Sequence, residues 1–198
     1  VTPGASAKIG IVTVNTDGSK LPNTRVKLQV YSRTWNSIRK KGVDGEYYYD
    51  NEAKDTFIRE MSATTDGNGK ATASVLIGQG GEYRIVATVV DSSGREAKAG
   101  TSVYAWSSSY VNWPHTNSDR MEVVADKPEY NVGETAVLLV KSPYQGKGVK
   151  ALVTVEREGI LSRQVIAIDS NAKSITIPIT DKLVPNAYVS VVVIKPRM

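Results

Sequence analysis

No cysteine occurs in this chain of 198 residues. That excludes a disulfide framework, a thiolate nucleophile and every cysteine-based zinc or iron–sulfur site among these residues. Histidine is almost as scarce, with His115 as its single representative. A Ser-His-Asp arrangement needs a base held rigidly between an acid and a nucleophile, and His115 follows a proline in a polar stretch with no such setting. No Asn-x-Ser/Thr acceptor for glycosylation is present. No apolar run approaches the ~18 residues a membrane-spanning helix needs, and no amphipathic helix of three turns can be read anywhere. The expected set of catalytic, cofactor-binding and metal-binding residues is therefore empty, and the expected class is not an enzyme.

What the chain has in abundance is alternation. In Arg25-Val26-Lys27-Leu28-Gln29-Val30-Tyr31, every second residue is apolar, the period of a strand with one buried face. Tyr83 to Val89 reads the same way, as do Ile175, Ile177 and Ile179, while 187–194 is a nearly continuous, valine-rich run suited to a strand covered on both sides. Asp66-Gly67-Asn68-Gly69, Asp17-Gly18 and Asp91-Ser92-Ser93-Gly94 supply residues that tolerate turn geometry. Counting runs predicts seven strands in the first half, about 8–15, 24–34, 46–50, 56–63, 70–77, 82–90 and 96–105. The second half yields six, about 121–125, 135–142, 149–158, 161–169, 174–180 and 187–195. Short strands at this spacing predict sandwiches.

With 40% hydrophobic and 23% charged residues, the chain has the composition of a folded protein rather than a disordered one. Its length suits two domains of about 100 residues. The expected division is a sandwich over 1–106, a linker over 107–119 and a second sandwich over 120–198. The linker is marked by Ser107-Ser108-Ser109 and Trp113-Pro114-His115 without alternation. Tyr104, Trp106, Tyr110 and Trp113 are expected to pack around it, either setting the angle between the halves or capping their cores. The opening at Val1 and the ending at Lys195-Pro196-Arg197-Met198 lead us to expect an excised segment, the second sandwich lacking its last strand.

Four patterns invite chemistry and have plainer readings. The net charge of +5 is scattered, its tightest cluster being Arg39, Lys40 and Lys41. Nucleic-acid binders concentrate such charge on one face, so no nucleic-acid partner is expected. Gly146-Lys147-Gly148-Val149-Lys150-Ala151 has the glycine spacing of a dinucleotide fingerprint, which works only ahead of a helix. A strand pattern follows, so a hairpin turn is expected. Asp44, Glu46, Asp50, Asn51, Glu52 and Asp55 gather oxygens of the kind calcium prefers, but not in EF-hand spacing. A solvated loop is expected there. Trp35, Tyr47, Tyr48 and Tyr49 could form a sugar-binding platform or cover the rim of a core.

Several stretches resemble the bacterial alpha-2-macroglobulin family. They are Ala125-Asp126-Lys127-Pro128-Glu129-Tyr130, Gly133-Glu134-Thr135-Ala136, Val140-Lys141-Ser142-Pro143-Tyr144, the run from Ala151 to Leu161, Ile177-Pro178-Ile179-Thr180 and Pro185 to Val191. In the first half, Tyr31 to Asn36, Gly42 to Tyr49 and Gly80-Gly81-Glu82-Tyr83-Arg84-Ile85 carry the likeness. The resemblance implies an all-β fold of two tandem antiparallel seven-stranded, Ig-like macroglobulin sandwiches, the second leading into the bait region. It further implies a scaffold role in an extracytoplasmic endopeptidase inhibitor that traps proteases after bait cleavage. Partners would be other domains of the same parent, and endopeptidases through the full-length parent, with no nucleic acid, no membrane contact and no cofactor. The thioester of many members needs a cysteine, so it cannot lie here. An Ig-like stalk or carbohydrate-binding module of a bacterial surface adhesin is the alternative.

Overall fold

The computed structural model describes residues 1–118 and 120–196, and it is built almost wholly of antiparallel strands. They are β1 (Ser6–Val12), β2 (Arg25–Lys41), β3 (Tyr47–Thr64), β4 (Lys70–Leu76), β5 (Gly81–Val90), β6 (Glu96–Ala105), β7 (Val123–Ala125), β8 (Thr135–Lys141), β9 (Lys150–Glu156), β10 (Ile160–Ala167), β11 (Ala172–Pro178) and β12 (Tyr188–Ile194). A short 3-10 turn at Asp181–Leu183 is the one helical element among the described residues. The all-β sandwich expectation holds.

The strand count of the first half needs correcting. Six strands stand where seven were predicted, because the runs expected at 46–50 and 56–63 are one strand, Tyr47–Thr64. The reason is burial. Most of β3 from Tyr47 to Ile58 is exposed on both faces, so polar Asp50 to Asp55 costs nothing there and leaves no alternation to read. By compactness the chain divides into one unit of Val1–Asn36 with Glu52–Ala105, and a second of Ser37–Asn51 with Trp106–Met198. The outer end of the β2–β3 hairpin thus groups with the second unit, although it is continuous in sequence with the first.

The first unit stacks the β1–β4 ladder and the sheet ordered β3-β2-β5-β6. Alternation becomes burial directly: Val26, Leu28 and Val30 are at most 1% exposed, and Ala73, Val75, Ile77, Tyr83 and Ile85 join them in one cluster. Each fully buried Val, Leu or Ile contributes about 1.5–3 kcal/mol. The Tyr83 hydroxyl donates to the Gln79 carbonyl and accepts from the Gln79 amide, both at 3.0 Å. The turn after β3 closes on Asp66, whose Oδ1 accepts from the Asn68 and Lys70 amides at 2.8 and 2.9 Å. Gly69 then sits at φ +70°, and a β-carbon there would lie 2.6 Å from the Thr13 carbonyl oxygen.

The second unit pairs the sheets β10-β9-β12 and β11-β8-β7. Leu138, Val140, Val153, Val155, Ile175 and Ile177 form its core. The motif Asp126 to Glu134 is a closed clasp between β7 and β8. Asp126 Oδ1 accepts from the Tyr130 hydroxyl at 2.5 Å and from the Val137 amide at 2.8 Å. The Tyr130 ring meanwhile packs on the core. Lys127 Nζ reaches Glu134 at 2.7 Å, and the other Glu134 oxygen accepts from the Asn131 amide at 2.9 Å.

Burial alone would raise the Asp126 pKa, but the Tyr130 and Val137 hydrogen bonds outweigh it and hold it below the ordinary carboxylate value. Glu134 is also held low, first by Lys127 and then by the Asn131 amide.

Three outcomes are expected. Gly69→Ala should destabilise the first unit by about 2 kcal/mol or more, through strain at positive φ and the clash with Thr13. Gly67→Ala, with open space around it, should leave the denaturant midpoint nearly unchanged. Because the folded pKa of Asp126 is depressed, its stabilisation is present above the unfolded value of about 3.9 and is lost as pH falls through the lower folded value. Asp126→Asn should therefore lower stability at neutral pH and flatten its acid dependence below about pH 4, as read from melting curves across that range.

Candidate functional site

The most structured polar surface of the second unit forms where Trp106 to Met121 lies against the end of β8 and the hairpin tip. Asn171, only 2% exposed, is its hub. The Asn171 side chain donates to the Val111 carbonyl at 2.7 Å and accepts from the Val111 amide at 2.9 Å. Its own carbonyl accepts from Trp113 Nε1 at 2.9 Å and from the Ser142 amide at 3.0 Å. Its amide donates to Gln145 Oε1 at 2.8 Å. Such a residue closes the backbone needs of an irregular segment as a neighbouring strand would.

Lys141 is buried beside it. Its ammonium meets Glu122 at 2.5 Å and stands 4.8 Å over the Trp113 ring, so the charge is both paired and set on an aromatic face. At the hairpin tip, the Asn51 side chain donates to the His115 carbonyl at 2.9 Å and accepts from the His115 amide at 3.0 Å. The Tyr49 amide donates to Asn117 Oδ1 at 2.5 Å, and the His115 ring stacks on Tyr49 at 4.8 Å. Tyr49, His115, Glu122 and Lys141 line a cavity of about 460 Å³ with Tyr110, Trp113, Arg120 and Tyr144 on its walls.

The stretch expected as a linker is therefore held at several points within this unit: Ser107 to Ala172, Val111 and Trp113 to Asn171, and His115 to Asn51. Asp119, its expected end, lies outside the described residues, as do Arg197 and Met198. Of the four aromatics grouped there by sequence, Trp113 is buried while Tyr110 is largely exposed.

The oxygen-rich stretch is committed piecemeal. Asp55 pairs with Arg33 at 2.7 Å and Arg84 at 3.1 Å, and Arg33 foremost holds its carboxyl below the usual range. Asp50 pairs with Lys40 at 2.5 Å, Asp44 Oδ1 accepts from the Glu46 amide at 3.0 Å, and Asn51 serves His115. No cluster of three metal-ligating side chains occurs among the described residues.

Three of the four aromatics, Trp35, Tyr47 and Tyr49, are engaged as well. Trp35 Nε1 donates to the buried Glu82 at 2.9 Å, and Arg39 covers the Tyr47 ring at 4.2 Å. Gly146 and Gly148, at φ +112° and +84°, turn the chain into strand β9 rather than a helix, but β8 and β9 belong to different sheets, so the turn crosses between sheets and is not the expected hairpin. Sequence reading missed Asn171, Lys141 and Glu82. Asn171 lies in a loop with no periodicity, while Lys141 and Glu82 sit in strands where charge reads as the solvent side.

Comparison with known proteins fits this architecture to two families. Residues 1–106 match bacterial macroglobulin domain 6, and residues 121–197 match the alpha-2-macroglobulin bait region domain. The chain belongs to the bacterial alpha-2-macroglobulin family. An alpha-2-macroglobulin homolog of Nostoc sp. is 23% identical over 192 residues, covering 97% of this chain and 10% of that protein. The native conformation of E. coli alpha-2-macroglobulin is 22% identical, with a TM-score of 0.44 over 100% of this chain and 12% of that one. Salmonella alpha-2-macroglobulin reacted with methylamine is 18% identical, with a TM-score of 0.41 over 97% of this chain and 13% of that one. This macroglobulin chain thus spans about a tenth of the length of the relatives it matches.

Asn171→Ala should leave the buried Val111 amide and carbonyl without partners and cost about 2–3 kcal/mol. Hydrogen exchange should then speed up at Val111 and its neighbours ahead of the core strands, which a merely global loss of stability would not produce.

Proposed function

We propose that this chain is structural scaffold of an extracytoplasmic alpha-2-macroglobulin-type endopeptidase inhibitor, whose whole protein traps proteases after a bait segment is cut. The match of residues 121–197 to the bait region domain carries this reading. The side chains support it physically. A trap that rearranges on cleavage needs blocks that keep their own shape, and each unit has its own apolar core and its own ladders. The ionisable groups most suggestive of chemistry are tied to structural tasks: Asp126 clasps β7 to β8, Asp55 holds two arginines, and Glu82 accepts from Trp35 and Ser102. On this reading the chain performs no catalysis, and its partners are other domains of the same parent and, through that parent, endopeptidases.

The test compares this chain with a longer natural protein that contains it, using a macromolecular protease substrate. The longer protein is expected to block an endopeptidase stoichiometrically and to lose that ability when these two modules are deleted. The chain alone is expected to neither inhibit nor hydrolyse. Stoichiometric inhibition or substrate turnover by the chain alone would overturn the scaffold reading, and so would a longer protein that leaves endopeptidases untouched.

A further inference from the structure

The hairpin end that groups with the second unit, residues 37–51, has no apolar anchor. Ser37, Gly42, Tyr49 and Asn51 are half-buried and the rest of it is exposed. Much of its bonding is internal. The Gly42 amide donates to the Glu46 carbonyl at 2.7 Å, Lys40 pairs with Asp50 at 2.5 Å, and Arg39 covers the Tyr47 ring. The segment it meets is anchored unevenly along its length. Val111 and Trp113 are buried and bonded to Asn171, whereas His115, Thr116 and Asn117 are exposed. This segment is thus a strap with a fixed root and a solvent-facing tip.

Tip and hairpin end meet through two asparagine side chains used reciprocally. Asn51 donates from Nδ2 to the His115 carbonyl at 2.9 Å, and its Oδ1 accepts from the His115 amide at 3.0 Å. Asn117 does the same in the other direction. Its Oδ1 accepts from the Tyr49 amide at 2.5 Å, and its Nδ2 donates to the Tyr49 carbonyl at 3.5 Å. Each side chain satisfies one donor and one acceptor of the facing backbone, as an opposite residue in an antiparallel ladder would. The order is antiparallel too, with Tyr49 across from Asn117 and Asn51 across from His115. Ser37 holds Asn51 in place: its Oγ donates to Asn51 Oδ1 at 2.6 Å and accepts from the His115 amide at 3.2 Å. The His115 ring closes over Tyr49.

We propose that this contact is a reversible latch: the strap tip and the hairpin end part and rejoin in one cooperative step, while the strap root and the apolar cores stay folded. Cooperation follows from spacing. One residue separates Tyr49 from Asn51 and one separates His115 from Asn117, so the backbone that positions one asparagine pair also positions the other, and losing either pair withdraws both. Reversibility follows from exposure. Water can replace exposed hydrogen bonds at small cost, and no fully buried side chain has to leave a core for the tip to lift. Few buried contacts and exposed bonds are the marks of a segment that opens locally. At the root, by contrast, lifting Val111 or Trp113 would leave the buried Asn171 without partners. The inference rests on these contacts and not on the scaffold reading.

Hydrogen exchange of the chain, followed amide by amide at rising sub-denaturing urea, tests it. The Tyr49 and His115 amides are expected to exchange by an opening that urea barely changes, about a hundredfold or more faster than Val140 and Val153. Exchange of those core amides should climb steeply with urea, because it needs large surface to be exposed. Asn117→Ala should quicken exchange at His115 about tenfold, although the acceptors of that amide are Asn51 and Ser37. Asn51→Ala should do the same at Tyr49, whose acceptor is Asn117. In both variants Val111 keeps its protection and the urea midpoint scarcely moves. Tyr49 and His115 exchanging only together with the core, a variant that quickens just the amide its own side chain held, or Val111 opening along with the tip would each overturn the proposal. The urea series on the unaltered chain decides the first of these even where a variant folds poorly.

Discussion

In a protein made almost entirely of strands, backbone amides find their partners far along the chain, so each ladder depends on side chains that hold distant segments in register. The period of two does this work. Val26, Leu28 and Val30 on β2 face the same core as Ile85 on β5, and a slip of one residue would send all of them to solvent and bring Lys27 and Gln29 inward. The second unit obeys the same rule through Ile175 and Ile177 on β11, set against Leu138 and Ala136 on β8.

This constraint explains what could be read from the sequence. Wherever one face is buried, alternation survives in the residues, as with Ile175 and Ile177 on β11; β12 is legible instead as a valine-rich run, and the structure exposes one of the two sides that run was expected to bury. Turn chemistry was legible too: Asp66 accepts from the amides two and four residues on because Asp favours that local geometry. Where neither face is buried, the signal vanishes. The outer part of the β2–β3 hairpin carries polar residues on both sides, so the continuity of β3 and the grouping of Ser37–Asn51 with the second unit left no trace in composition.

Buried polar residues were illegible for a different reason. Glu82 lies on the sheet face opposite the Tyr83 and Ile85 side chains, where a glutamate is expected to meet water. It is covered instead, its oxygens accepting from Trp35 Nε1 and Ser102 Oγ. Lys141 is another strand residue whose charge is withdrawn from solvent. Both placements depend on residues tens of positions away, and no local pattern encodes them. Each also penalises alternatives: a buried carboxylate without its donors, or an ammonium without Glu122, costs more than the pair gains.

The stretches that carry the family likeness fill the cores, through Tyr83, Ile85, Val153 and Val155, and in one of them a polar network closes as well. Apolar cores accept many residue combinations if volume and pattern are kept, so they leave a faint sequence signature. A clasp such as Asp126–Tyr130–Val137 accepts few: a carboxylate must reach both a hydroxyl and an amide while the ring remains on the core. Such geometry ties particular residue types to particular spacings. That is why a short polar motif can point to a family when overall identity to a relative is 23%, and why the same motif speaks to architecture rather than to reactive chemistry.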